Sequence, residues 1–138
     1  MLAQLLVAAS AAIIFALGAI HLIYTFCSPK LHPRDPELEA RLKAVSPVIT
    51  RQTTMWRAWM GFNASHSFGA MLFGAVYGYL ALLDGAYLFR SAFLCVLGLL
   101  LLFGYAILAK LYWFSVPLRA ILLAAVCYIA GLIVALRG

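Results

Sequence analysis

Four long apolar runs separated by short polar connections set the plan of this chain. The first extends from Leu2 to Phe26 and is interrupted only by Gln4, Ser10, His21 and Thr25. The second, Thr53 to Leu83, reads TTMWRAWMGFNASHSFGAMLFGAVYGYLALL. The third runs from about Ser91 to Ala109 and is built mainly from Leu, Phe, Ala and Gly; the fourth runs from Val116 to Leu136. About 20 such residues in a helix cross the hydrocarbon of a bilayer. The pattern predicts an all-α bundle of four transmembrane helices spanning about 2–26, 53–83, 91–109 and 116–136, as one integral membrane domain over 1–138. Cys27-Ser28-Pro29, Asp84-Gly85, Lys110 and Ser115-Val116-Pro117 punctuate the runs. The first run has no basic start and exceeds a signal-peptide core in length, so it is read as a retained span.

Lys30 to Gln52 is the one hydrophilic stretch. Within it, Asp35-Pro36-Glu37 is a helix start: Asp caps free backbone N–H groups, Pro fits the first turn, and Glu suits the positive end of the dipole. Leu38, Leu42 and Val45 then share a face that excludes Glu39, Arg41 and Lys43. This predicts a short amphipathic helix on the membrane surface, stopped by Ser46-Pro47.

Composition agrees with the pattern. Hydrophobic residues make up 67% and charged residues 10% of the chain, far from the balance of a soluble domain. The net charge of +6 sits in connections between apolar runs with no nucleic-acid-reading motif, so nucleic acid is not the expected partner. Eight of the ten basic residues (Lys30, Arg34, Arg41, Lys43, Arg51, Arg57, Lys110 and Arg119) fall on one side, against Arg90 and Arg137 on the other. The positive-inside rule then puts the hydrophilic stretch in the cytoplasm, against anionic headgroups, and both termini outside. Cys27, Cys95 and Cys127 are too scattered for a disulfide framework or a zinc site and read as buried free thiols.

Candidate chemistry concentrates in the second run. Polar groups inside lipid are expensive and normally face the protein interior or a working site. At 100° per residue, Trp56, Trp59, Asn63, Ser67, Ala70 and Gly74 form one stripe with His66 at its edge. The first run has a smaller stripe of Gly18, His21 and Thr25. Antiparallel helices would let His21 and His66 face each other under Trp56, Trp59 and the surface helix. The candidate ligand-binding set is His21, Arg57, Asn63 and His66, with Arg57 holding an anionic group, Asn63 and His66 orienting the ligand, and His21 closing the pocket. The competing plain reading makes these groups structural glue between helices. The Gly61, Ser65, Gly69 repeat, continued by Gly74 and Gly78, is read as packing, and His32 as solvent-exposed.

Sharper chemistries are weighed against this. Two histidines on facing helices can ligate a b-type haem or hold a quinone. A buried zinc or di-iron site needs carboxylates or cysteines beside the histidines, and the four acids lie elsewhere, so no metal site is expected. No nucleophile elbow, P-loop or dinucleotide fingerprint occurs, and no repeated halves suggest a transporter.

The segments GAIHLIYTF, LHPRDPELEARLKAVSPVIT and TTMWRAWMGFNASHSFGAMLFGAVYGYLA together resemble an uncharacterised family of small bacterial integral membrane proteins with four predicted spans. The resemblance ends near Ala81 and is most specific in TTMWRAWMGFNASHS. It implies bacterial origin, a place in the cytoplasmic (inner) membrane and a four-helix architecture. In layout the chain is also similar to the membrane-associated proteins of eicosanoid and glutathione metabolism, which carry an Arg–Asn–Glu constellation in helix two. Asn63 matches that Asn, His66 stands where that family has its Glu, and Arg57 is not at its spacing. That similarity implies a glutathione-transferase-like membrane enzyme using Arg57, Asn63 and His66. The expectation adopted is a protein that binds a lipid-soluble or amphipathic ligand, or acts as an accessory subunit in a homo-oligomer or larger complex, through the polar pocket between the first two helices.

Overall fold

A computed structural model describes residues 1–137. The protein is all-α: α1 (Leu2–Cys27), a 3-10 turn (Pro29–Leu31), α2 (Pro36–Ala44), α3 (Met55–Leu83), α4 (Gly85–Arg90), α5 (Ala92–Tyr112) and α6 (Ser115–Arg137). Of these, α1, α3, α5 and α6 are long and apolar enough to cross a membrane. Helix α5 runs three residues past the expected end because nothing in Lys110–Tyr112 breaks it; the Trp113 N–H closes its last turn on Ala109 O at 3.2 Å. Helix α4 stands where only a turn was expected. The Asp84 carboxylate accepts from Tyr87 N at 3.1 Å, so the Asp-Gly pair starts a helix instead of a loop. Ser91 ends that helix and caps α5.

The chain divides into two compact units, Met1–Leu17 with Ala70–Gly138, and Gly18–Gly69. In the first, stretches of all four long helices pack around Val7, Ala11, Ile14, Phe73, Tyr77, Leu88, Leu102, Ile121, Ala124 and Tyr128. Glycines let these helices approach closely. A Cβ on Gly74 would lie 2.5 Å from Phe15 Cβ and 2.6 Å from Ala11 O, and one on Gly131 would lie 2.8 Å from Val7 Cγ2. Gly98 leaves room for the phenol end of Tyr128. Phe73 stacks on Tyr77 at 4.6 Å, and Tyr128 meets Tyr77 edge-on at 5.7 Å. The Tyr77 hydroxyl donates to Leu94 O at 2.7 Å, which satisfies a polar group in a largely apolar core. Leu72, Phe93, Leu100 and Val126 point outward, as lipid-facing side chains of a span do.

The second unit comprises the last turns of α1, the first turns of α3 and the polar strap joining them. Asp35 Oδ1 accepts from Glu37 N at 2.9 Å, which starts α2 where the sequence places it. The strap is tied down at several points. Trp59 Nε1 donates to Leu31 O at 3.2 Å. The His32 ring meets Trp56 edge-on at 4.8 Å, and the Lys43 ammonium lies 5.2 Å from the Trp56 ring. Met55 N donates to Val45 O at 2.8 Å, closing the loop between α2 and α3.

Three sequence expectations are corrected here. His32 is half-buried, because it pairs with Glu39 as well as packing on Trp56. Cys27 is exposed at the end of α1. Gly61, Ser65 and Gly69 lie on the exposed side of α3, with nothing within 4 Å of a Cβ built on Gly61. The close-packed seam begins only at Gly74.

Candidate functional site

The site lies wholly within the unit of residues 18–69. His21 is six residues from the end of α1, and His66 is eleven residues into α3. At about 1.5 Å per residue, both sit below the strap and within apolar helix. The two imidazole rings are in edge contact, with centroids 5.3 Å apart and planes at 84°.

Asn63 sets the geometry. Its Nδ2 donates to Trp59 O, one turn back on the same helix, at 2.8 Å. That fixes the amide so that Oδ1 points at His21 Nε2, 2.9 Å away. An amide oxygen only accepts, so His21 carries its proton on Nε2 and donates it. Helical spacing does the rest: Asn63 and His66 are three residues apart and therefore neighbours on one face. The surrounding hydroxyls turn back on their own helices. Thr25 Oγ1 donates to His21 O at 2.8 Å and Ser67 Oγ to Asn63 O at 3.0 Å. Thr25 and Ser67 are buried, whereas His21, Asn63 and His66 are each half-buried.

The structure thus brings together three of the four residues chosen from sequence. Arg57 does not join them. Six residues before Asn63, it projects about 120° around the helix from it, and it is exposed. The anion-holding role and the Arg57-anchored enzyme arrangement therefore lack their cation at this cluster. The ties from Trp59 to Leu31 and from Trp56 to His32 have no sequence signal beyond the tryptophans' membrane-boundary character.

The histidine pair was tested against a bis-imidazole haem. Such ligation needs a ring nitrogen from each side with the macrocycle between. Here the rings touch edge-on and His21 Nε2 is committed to Asn63. The arrangement does not fit that cofactor. Among the described residues, no three or more His, Cys, Asp or Glu side chains come together as a metal site. The cluster joins α1 to α3 through one hydrogen bond and one ring contact between polar side chains. No protein family, curated protein or solved structure matches this chain.

Proposed function

We propose that this protein binds the polar head of a lipid-soluble or amphipathic molecule at the His21–Asn63–His66 cluster. The supporting observation is the edge-on imidazole pair, half-buried, with His21 locked by the Asn63 amide. Polar groups serving only as glue between helices gain most when fully enclosed. Polar side chains within a span are costly and often mark a working site. Trp59 Nε1 bonds Leu31 O and Trp56 packs on His32, which ties the strap to the first turns of α3 beside the cluster. A quinone-like carbonyl is one chemistry that fits.

The test is native mass spectrometry of the protein extracted from its own membrane in mild detergent. The expected result is a non-protein mass on the wild type that is lost in His66→Ala and Asn63→Ala. A wild-type protein at the mass of the bare chain sinks the proposal. A second protein in its place would favour the accessory-subunit reading.

We further propose a bacterial inner-membrane location with the strap in the cytoplasm and both termini outside. The uneven distribution of Lys and Arg supports the orientation. A membrane-impermeant thiol reagent applied from outside should label Arg137→Cys and spare Glu37→Cys.

A further inference from the structure

The loop between α2 and α3 carries an unusual tip. Val48 is 108% and Ile49 91% exposed, more than any other large apolar residue except Met1 at 93% for the second of them. They occupy the corner of a turn in which Thr50 N donates to Pro47 O at 3.2 Å. Gln52 N bonds to Thr50 Oγ1 at 3.1 Å, and Met55 N to Val45 O pins the base of the loop. The tip is therefore held out in a defined turn. Turn corners are normally Gly, Asn, Asp, Pro or Ser; β-branched apolar residues there gain nothing locally. Where a local rule is broken without local gain, function is the usual reason.

The surroundings indicate the occupant. Arg51 stands two residues after Ile49, and Arg34 and Arg41 lie on the same strap; all three are exposed and in no ion pair among the described residues. Glu39, by contrast, is already taken by Lys43 and His32. The strap connects two helices apolar enough to span a membrane, which holds it at the membrane boundary. An apolar tip on a strap that also carries Arg34, Arg41 and Arg51 is complementary to the headgroup layer of an anionic leaflet.

We propose that Val48 and Ile49 insert into the apolar edge of that leaflet while Arg51 and Arg41 hold anionic headgroups, so that the loop anchors the strap to the bilayer. The test uses the full chain with its native cysteines replaced, an environment-sensitive fluorophore on Ile49→Cys or, separately, Glu37→Cys, and vesicles of phosphatidylcholine with and without phosphatidylglycerol. Nitroxide-bearing phospholipid should quench the label at 49 several-fold more than the label at 37, and aqueous acrylamide should show the reverse. The difference should grow with phosphatidylglycerol and lose that growth in Arg41→Gln/Arg51→Gln. Val48→Cys should behave as Ile49→Cys. Equal acrylamide quenching at 49 and 37 overturns the insertion. Disulfide linkage of Ile49→Cys to a second copy, with no lipid quenching, overturns it in favour of a self-interface. Insensitivity to phosphatidylglycerol overturns the headgroup role of the arginines.

Discussion

His21 Nε2 donates to Asn63 Oδ1 at 2.9 Å, and the direction of that bond is dictated from the other end of the amide, where Nδ2 is held by Trp59 O. Asn63 thus converts a helix carbonyl into an orienting device for an imidazole on another helix. Asn63→Ala should release the His21 ring, and Asn63→Asp, which keeps an acceptor oxygen, should hold it. Bonds between membrane helices average about 0.6 kcal/mol and reach about 1.7. A double-mutant cycle of His21→Ala and Asn63→Ala, read by unfolding in mixed micelles, should give coupling in that range. Coupling near zero would mean the bond does not form in the membrane.

The glycines of α3 should divide by position. Gly74→Ala forces a methyl against Phe15 and the Ala11 carbonyl, and overpacking of this kind costs about 1–3 kcal/mol. Gly61→Ala meets nothing within 4 Å and should be neutral or slightly stabilising, since Ala is the better helix former. Thermal unfolding of both variants in one detergent checks the contrast. Equal losses would argue against the seam at Gly74.

These two glycines also mark what the sequence could and could not reveal. Span number and the Asp35 cap were legible because they depend on local hydrophobic length and on capping chemistry, whereas the end of α5 was not, since Lys110 does not break a helix. The meeting of His21 with Asn63 and His66 was legible because helical spacing and antiparallel connection nearly force it. Which end of the Gly61–Gly78 repeat would be packed was not, since spacing is identical at both ends and only neighbouring helices distinguish them. That Arg57 stands apart from the cluster was not legible, because its position between two tryptophans gives no direction around the helix. His32 was misread because a loop histidine gives no hint of a Trp56 face and a Glu39 carboxylate across the strap.

Glu39 makes the strap sensitive to acid. The bond from Lys43 holds its carboxyl below the ordinary value; desolvation opposes it, and the charges of Lys43 and His32 and the His32 bond add smaller lowering effects. A carboxyl lowered on folding stabilises the folded strap fully above its unfolded value, about 4.3 for Glu. That contribution is lost as pH falls through the lower, folded value. Amide exchange across α2 should therefore accelerate as pH drops below that range, after correction for intrinsic rates. Glu39→Gln should exchange faster at neutral pH and lose the acid transition. An unchanged transition in Glu39→Gln would assign it to another group.

The two core tyrosines should prove non-additive. Tyr77 donates to Leu94 O at 2.7 Å, whereas Tyr128 reaches the same carbonyl at 3.4 Å and Cys95 O at 3.3 Å. The shorter bond makes Tyr77→Phe the costlier single change, toward the upper end of the 0.6 to roughly 1.7 kcal/mol seen for bonds in membrane bundles. Tyr128→Phe should fall nearer the average, because its hydroxyl divides between two distant acceptors. Each single variant leaves one hydroxyl near Leu94, so the remaining tyrosine can compensate. The double variant removes both, and groups sharing a partner depart from additivity by about 0.5 kcal/mol or more. Its loss in reversible unfolding should therefore exceed the sum of the singles. A strictly additive result would mean that the Tyr128 hydroxyl does not serve Leu94, and that its role is confined to filling the space beside Gly98.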